Sequence, residues 1–519
     1  MARFIVANRL SGLGRARGSP APASGSFRAA MAAQHDAFEP VLNQLRSDFD
    51  VRSDSGREAP RRNLQIEGDP QAMQKLAAEL PRDVLVEPAL KRVPASSQGI
   101  LLQRALAAQG PDPLPAGFGA TLRIRARGDG KPIAGAKALL MLADLRGHDA
   151  GTRMAAETDG SGQAEFPYNP AIWLPALLTV EPRNGYWDWW QELPQGDLSL
   201  ELPALPKAGP IGWWHQAVGM TRYVRGRGEG ISIGVVDTGV GPHPYLRDVV
   251  NAGAVTEGAY VDGSPAGDDA LSHGTHVCGI IAARPVEGSG DYCGVADAAK
   301  VISIRVFSAE SQTSQGDVVE AIDRLAFDHQ ADIINLSLGG NQPSQIEQDA
   351  VRAAAEAGTI CVAAAGNQFG QPLMFPAGYQ ETVAVSALGV LGAYPPGTMA
   401  ARCGPDRPDR LDPNGLYFAL FSNLGQGMSC AAPGAGIIST VPARPEVAAP
   451  YMAHNGTSMA APIVSGALAT LLAQDTAYRF MPRDANRTRR ASMVLAATLR
   501  PLGISPDCVG GGMAQAWPA

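Results

Sequence analysis

Ile231-Ser232-Ile233-Gly234-Val235-Val236-Asp237-Thr238-Gly239 is a short apolar run that stops abruptly at a carboxylate and a glycine turn. An apolar run of this length, bounded by turn residues, reads as a strand buried on both faces. Similar runs recur at 301–306, 333–337, 359–364 and 382–387. Between them, residues spaced as on one helical face cover 273–283, 316–328 and 343–357, and two more helices are expected from near Ser458 and over about 485–499. Strands alternating with helices predict an α/β fold, a parallel sheet with helices on its faces. In such a sheet ligands bind at the carboxyl ends of the strands, the edge at which Asp237 stands.

Two further stretches carry chemistry. His273-Gly274-Thr275-His276-Val277 opens a helix of small and apolar residues. Asn455-Gly456-Thr457-Ser458-Met459-Ala460-Ala461-Pro462 precedes a long apolar run. Taken singly, each polar residue has a structural reading: Asp237 as a turn or capping residue, His273 and Ser458 as helix caps. Together they supply the types that nucleophilic catalysis needs. A hydroxyl is a poor nucleophile near neutral pH, an imidazole can take its proton, and a buried carboxylate can fix the imidazole's tautomer.

The blocks Ile233-Gly234-Val235-Val236-Asp237-Thr238-Gly239, His273-Gly274-Thr275-His276-Val277 and Gly456-Thr457-Ser458-Met459-Ala460-Ala461-Pro462 resemble the three signature segments of the subtilisin-like serine proteases, in that family's order Asp, His, Ser. The resemblance covers about 220–519. It implies that Asp237, His273 and Ser458 form a catalytic triad. It also implies that Asn367, in Ala363-Ala364-Ala365-Gly366-Asn367, donates to the oxyanion. Ser337, Leu338 and Gly339, in Ile334-Asn335-Leu336-Ser337-Leu338-Gly339-Gly340, are implied to pair with an extended substrate. Ala364, Ala365 and Gly366 are implied to line the substrate site with them. Met374 falls where the family lines its primary specificity pocket, and at the pocket floor it would exclude very large side chains. His276 is read as a packing residue, and His243 and His454 as loop residues near the cleft. No cofactor is expected. Some members of the family bind calcium, but Glu287-Gly288-Ser289-Gly290-Asp291-Tyr292 identifies no ligand set.

Working outward toward the start, residues 1–95 read as strand, helix, strand, strand, helix, strand, the order of a split βαβ, ferredoxin-like module. Phe27, Met31, Phe38, Leu42 and Leu45 mark its first helix, which Pro40 is expected to kink or divide. Asp69-Pro70 caps the second, and 83–93 is the closing strand. Such a module ahead of a subtilisin-like domain resembles the family's inhibitory propeptide, whose last strand enters the cleft. Residues 96–118, rich in Pro, Ala, Gly and Gln, read as a linker, and 119–204 as a small β-sandwich. Gly130-Lys131-Pro132-Ile133-Ala134-Gly135-Ala136 and Thr158-Asp159-Gly160 give the sandwich a resemblance to carboxypeptidase-regulatory-like domains. Its aromatic cluster, Tyr186, Trp187, Trp189 and Trp190, is expected to pack on a neighbouring domain or to bind a partner. The protease domain is expected over 205–519, with 391–416 as an insertion loop.

Composition sets the limits. The chain has 519 residues, 45% hydrophobic and 18% charged, with a formal net charge of -7, which argues against nucleic acid or an anionic membrane as partner. No uninterrupted apolar run reaches membrane-spanning length, and no secretory apolar region follows Met1, so a cytoplasmic location is expected. The six cysteines are too sparse for a disulfide scaffold and show no metal-ligand spacing. The expected activity is that of a serine endopeptidase acting through an acyl-enzyme on peptide or protein substrates, with the N-terminal module as intramolecular inhibitor. The alternatives are a maturation protease dedicated to one precursor and an autoinhibited binding scaffold.

Overall fold

The computed structural model describes residues 2–12, 24–95, 119–146, 151–263, 269, 271–307, 312–445 and 447–517. The linker expected at 96–118 lies outside them.

The N-terminal unit comprises β1 (Ala2–Asn8), α1 (Ser24–Asp48), β2 (Asp50–Asp54), β3 (Asn63–Gly68), α2 (Pro70–Glu79) and β4 (Val84–Pro88). Its antiparallel sheet has the order β2-β3-β1-β4. Phe4, Val6, Leu64 and Ile66 from the sheet and Phe38, Leu42 and Leu45 from α1 close its core. Asp69 caps α2, accepting from the N–H groups of Gln71 (3.0 Å) and Ala72 (3.1 Å), as the Asp-Pro signal predicts. Pro40 does not divide α1, which runs through it for 25 residues. The closing strand differs from the expectation of one strand over 83–93. β4 ends at Pro88, and β5 (Lys91–Pro94) leaves the sheet to pair with the protease domain.

The middle of the chain folds as two four-stranded sheets. One contains Gln163–Tyr168, Ala120–Gly128 and Asp197–Glu201, with Lys131–Pro132 at its side; the other contains Trp189–Glu192, Trp173–Glu181, Lys137–Asp144 and Thr152–Glu157. Leu122, Ile124, Leu140, Phe166, Leu178 and Val180 fill the space they share. This unit seats on the stretch read as an insertion loop. Trp187 meets Tyr394 edge-on at 6.2 Å and Trp190 N–H donates to Gly397 O at 2.7 Å. Trp187 and Trp190 of the aromatic cluster therefore pack against the neighbouring domain, the first of the two expected roles, while Tyr186 packs into its own unit.

The remainder is built on a nine-stranded sheet whose central strands, Val250–Thr256, Lys300–Arg305, Ser232–Asp237, Ile333–Leu336, Ile360–Ala364 and Thr382–Val390, run parallel in that spatial order. Cys430–Pro433 adds a further parallel strand, while Ala259–Asp262 and Leu416–Phe418 are antiparallel. The helix expected over 316–328 is α-helical only for Gln315–Asp323 and continues as a π-helical turn, Arg324–Asp328. The helix Thr457–Gln474 packs on the strands Ile333–Leu336, Ile360–Ala364, Thr382–Val390 and Cys430–Pro433. By length and composition this 18-residue helix could cross a bilayer, although Ser458, Ser465 and Thr470 interrupt its apolar run, and 89% of it is buried inside the protein. Its hydrophobic surround is the domain's own core, which explains a composition with no polar face.

Candidate active site

Asp237 is the last residue of its strand, and the following turn lets a second backbone approach closely. A Cβ added to Gly274 would lie 2.0 Å from Gly239 O, so only glycine allows the His273–Ala282 helix to start against that turn. Asp269, which the sequence reading missed, ties the two segments together. It accepts from Thr238 Oγ1 (2.8 Å), Thr275 N–H (2.8 Å) and Thr275 Oγ1 (2.7 Å), while Thr238 Oγ1 accepts from Gly274 N–H (2.7 Å). Burial pushes Asp269 up to about 6. Its position four residues before His273 was the only signal available in the sequence.

The brace delivers His273 Nδ1 to 2.6 Å from Asp237 Oδ1, an atom that also accepts from Thr238 N–H at 2.7 Å. A carboxylate on Nδ1 places the ring proton there and leaves Nε2 as a free base; Nε2 is buried without a partner. Burial would lower this imidazole, but the charge of Asp237 and its hydrogen bond outweigh it and hold His273 above its ordinary value.

Ser458 is the second residue of the Thr457–Gln474 helix, and its hydroxyl does not cap that helix. The cap position belongs to Gly456, whose φ of 153° suits glycine alone. The Ser458 hydroxyl donates to Ser337 O at 2.9 Å, and Ser337 Oγ donates to Ser458 O at 2.8 Å. Nearby, Asn367 Oδ1 accepts from Thr457 N–H (2.8 Å) and Thr457 Oγ1 (3.0 Å). Those two bonds fix the amide so that its Nδ2 donor is buried and unpartnered. An unsatisfied buried donor beside a helix N-terminus is a pre-paid site for negative charge.

The cleft is not empty. β5 lies antiparallel between two edges, with Lys91 and Arg92 opposite Ser314 and Thr313, and Val93 and Pro94 opposite Gly339 and Leu338. Ala95 N–H donates to Ser337 O at 3.0 Å, and Ala95 O accepts from Ser458 N–H at 3.1 Å. Ser337, Leu338 and Gly339 thus pair with an extended segment. Ala364, Ala365 and Gly366 are placed differently: Ala365 N–H donates to Val385 O, Ala365 O accepts from Met374 N–H, and Gly366 N–H donates to Thr457 Oγ1. Met374 is buried, with Cβ 3.0 Å from a Cβ built on Gly339 and Sδ 2.6 Å from one built on Gly366. It fills the space between those two backbones.

His276, His454 and His243 are held in packing positions. His276 Nε2 lies 3.1 Å from both Ile437 O and Met452 O, and burial lowers it to about 3. His454 is on the strand Tyr451–His454 and not in a loop; it stacks on His276 at 4.3 Å. His243 is buried against Tyr245 and Tyr451, and burial lowers it to about 4. Among the described residues no group of three or more His, Cys, Asp or Glu is placed to hold a metal ion.

An Asp–His pair at the end of a parallel strand, a serine in the first turn of a buried helix and a free amide donor beside it define a serine-type hydrolase. Comparison with known proteins gives the family. The subtilase family model matches residues 228–507. Subtilisin BL of Lederbergia lenta is 33% identical over 242 residues, 47% of this chain and 76% of the relative. The major intracellular serine protease of Bacillus subtilis (strain 168) is 30% identical over 333 residues, 62% of this chain and 87% of the relative. Fervidolysin of Fervidobacterium pennivorans is 35% identical over 287 residues, half of this chain and 37% of the relative. The chain belongs to the subtilase family, and it is a serine endopeptidase.

Proposed function

We propose that Ser458 is the nucleophile, His273 the base and then the acid, Asp237 the group that orients and stabilises His273, and Asn367 Nδ2 with Ser458 N–H the oxyanion site. Ser458 Oγ bonds to the substrate carbonyl carbon while its proton passes to His273 Nε2. The carbonyl oxygen takes up negative charge in front of the two donors. Collapse breaks the C–N bond, and the Nε2 proton goes to the leaving amine. Water, deprotonated by the same nitrogen, then releases the acid and restores the serine.

Residues 1–95 are proposed to be a ferredoxin-like propeptide module that inhibits this site in cis, with the bond between Ala95 and Ser96 as the one it presents for self-cleavage. The observation that carries this reading is the 3.1 Å hydrogen bond from Ser458 N–H to Ala95 O, at the end of a strand seated along Leu338–Gly339. The order β-α-β-β-α-β with strands β2-β3-β1-β4 supports the module's assignment. With Ala95 in place the Ser458 hydroxyl points to Ser337 O and His273 Nε2 is unpartnered, an arrangement suited to a resting complex. Met374 is proposed to limit the residue before the cut bond to small side chains such as that of Ala95.

The test uses mass spectrometry and a fluorophosphonate probe on the full chain and its Ser458→Ala form. The wild type is expected to resolve into a fragment ending at Ala95 and a labelled remainder. The variant is expected to stay intact and unlabelled. Labelling that survives in Ser458→Ala sinks the nucleophile assignment, and a first cut elsewhere sinks the boundary.

A further inference from the structure

We infer that the substrate cleft carries a buried anionic subsite, centred on Glu347, that selects arginine at the fourth residue upstream of the cut bond. The inference rests on reading β5 as a segment seated in the cleft like a substrate. With Ala95 carrying the carbonyl at Ser458, Arg92 is that fourth residue. Its side chain and that of Glu347 are both fully buried, and Nε and Nη2 each donate to one carboxylate oxygen at 2.8 Å. A bidentate pair of this kind is specific to guanidinium, because the planar fork matches the two oxygens and an ammonium does not.

The surroundings are built for a cation. Arg92 Nη2 also donates to Gln342 O at 3.2 Å, and the Tyr379 hydroxyl lies 2.9 Å from Glu347 Oε2. Access depends on Gly340: a Cβ there would come within 2.7 Å of Arg92 Nη1 and 3.2 Å of its Cδ. Ser344 and Glu347 stand three apart at the start of the Gln345–Glu356 helix, and Ser344 Oγ caps Glu347 N–H at 3.0 Å. In a reciprocal capping box the glutamate would fold back onto the Ser344 N–H. Here that N–H donates to Tyr379 OH at 2.9 Å, which releases the Glu347 carboxylate to face the cleft. Arg92 comes from the N-terminal module and Glu347 from the protease domain, so a substrate that displaces β5 finds the carboxylate, Tyr379 and the Gly340 passage still in place. A buried carboxylate left without a cation is strongly disfavoured, so the subsite should discriminate against an apolar fourth residue as well as favour arginine.

The experiment compares two peptide nitroanilides, Arg-Val-Pro-Ala and Leu-Val-Pro-Ala, as substrates of the full chain and of its Glu347→Gln form. Both peptides meet the same fraction of vacated clefts, so the ratio of their kcat/KM values does not depend on how far the N-terminal module has left. The wild type is expected to favour the arginine peptide at least 10-fold, and Glu347→Gln, which retains the shape and a partner for Tyr379, to bring the ratio close to one. Should Glu347→Gln fail to fold, the wild type with Lys-Val-Pro-Ala keeps the test: lysine should fall well below arginine. A chain that labels with the fluorophosphonate but takes arginine and leucine equally, or cleaves neither peptide, overturns the subsite alone. A chain whose Ser458 does not label overturns the reading of the active site and this inference with it.

Discussion

Asn367 illustrates how a single side chain can be read at atomic scale. Its oxygen is occupied by two donors from Thr457, so rotation of the amide would break both and bring nitrogen against nitrogen. Under the proposed mechanism the orphaned Nδ2 is already aimed at the place where charge would develop, with no reorganisation during the reaction. Asn367→Leu is expected to lower kcat by about 100- to 1,000-fold with little change in KM, the scale established for such a donor in subtilisins. Steady-state kinetics on a peptide substrate would check it, and an equal loss in KM alone would remove Asn367 from the oxyanion site. His273 gives a second expectation. Under the proposed mechanism catalysis needs its neutral form, and Asp237 holds its pKa above the ordinary imidazole value, so kcat/KM should fall as pH drops through that raised pKa. Asp237→Asn removes the charge that raises it. The acid limb should then move to lower pH, while the rate falls by about 10,000-fold as the wrong tautomer is favoured. A pH profile of both forms would show whether the limb moves.

At the scale of elements, the site depends on two places where backbone replaces side chain. The His273–Ala282 helix starts against Gly239 only because residue 274 has no Cβ, and the Thr457–Gln474 helix starts from a Gly456 conformation closed to other residues. Gly274→Ala would push the helix away from the Asp237 turn and lengthen the 2.6 Å Asp237–His273 bond. Its activity is expected to drop by about 100-fold or more, in line with the cost of a 1 Å misplacement, and its melting temperature to fall. Calorimetry beside kinetics would separate the two effects, and a variant with wild-type rate would show that the contact is not needed. These elements were legible in the sequence because buried parallel strands are unbroken apolar runs, with Asp237 at the end of one, and because His273 and Ser458 each open an apolar helix after a turn. Elements whose bounds no apolar run marks lack that signal. β2, expected only by its place in the order of elements, is Asp50-Val51-Arg52-Ser53-Asp54, mostly polar, and pairs with β3. β5 is Lys91-Arg92-Val93-Pro94, a strand with two cations whose buried state depends on Glu347, 255 residues further on. Asp269 likewise acquires its meaning from Thr238 and Thr275, which only the fold brings together.

At the scale of the molecule, the N-terminal unit meets the protease domain through apolar contacts of Ile5, Ala7, Leu10 and Leu85 and through a network of buried charge. Arg61 is fully enclosed, donating to Asp323 Oδ2, Asp349 Oδ2 and Asn8 O, each at 2.7 Å. Asn63 Nδ2 reaches Glu320 at 3.1 Å, and Leu10 N–H reaches Asp349 at 2.8 Å. Burial raises Asp323 to about 6 despite the opposing charge of Arg61, which marks how poorly that carboxylate is solvated in the docked state. Under the proposed release of the unit, the same carboxylates would face water and need no partner. Removing Arg61 also costs the unit its bond to Asn8 O, but penalises the docked state most, by about 3–5 kcal/mol for an uncompensated buried charge, or roughly 100-fold to several thousand-fold in the docking equilibrium. The full chain should hydrolyse a peptide substrate after a lag while its N-terminal unit dissociates. Arg61→Met should shorten that lag and raise the early rate. Arg61→Lys, which keeps the charge but cannot reach both carboxylates with a planar fork, should fall between. Progress curves at equal concentrations of fluorophosphonate-reactive Ser458 would measure this directly, because normalising to reactive serine removes any difference in folding yield. Identical lags in all three chains would mean that the buried network does not control access to the cleft, leaving β5 and its Arg92–Glu347 pair as the hold on the active site.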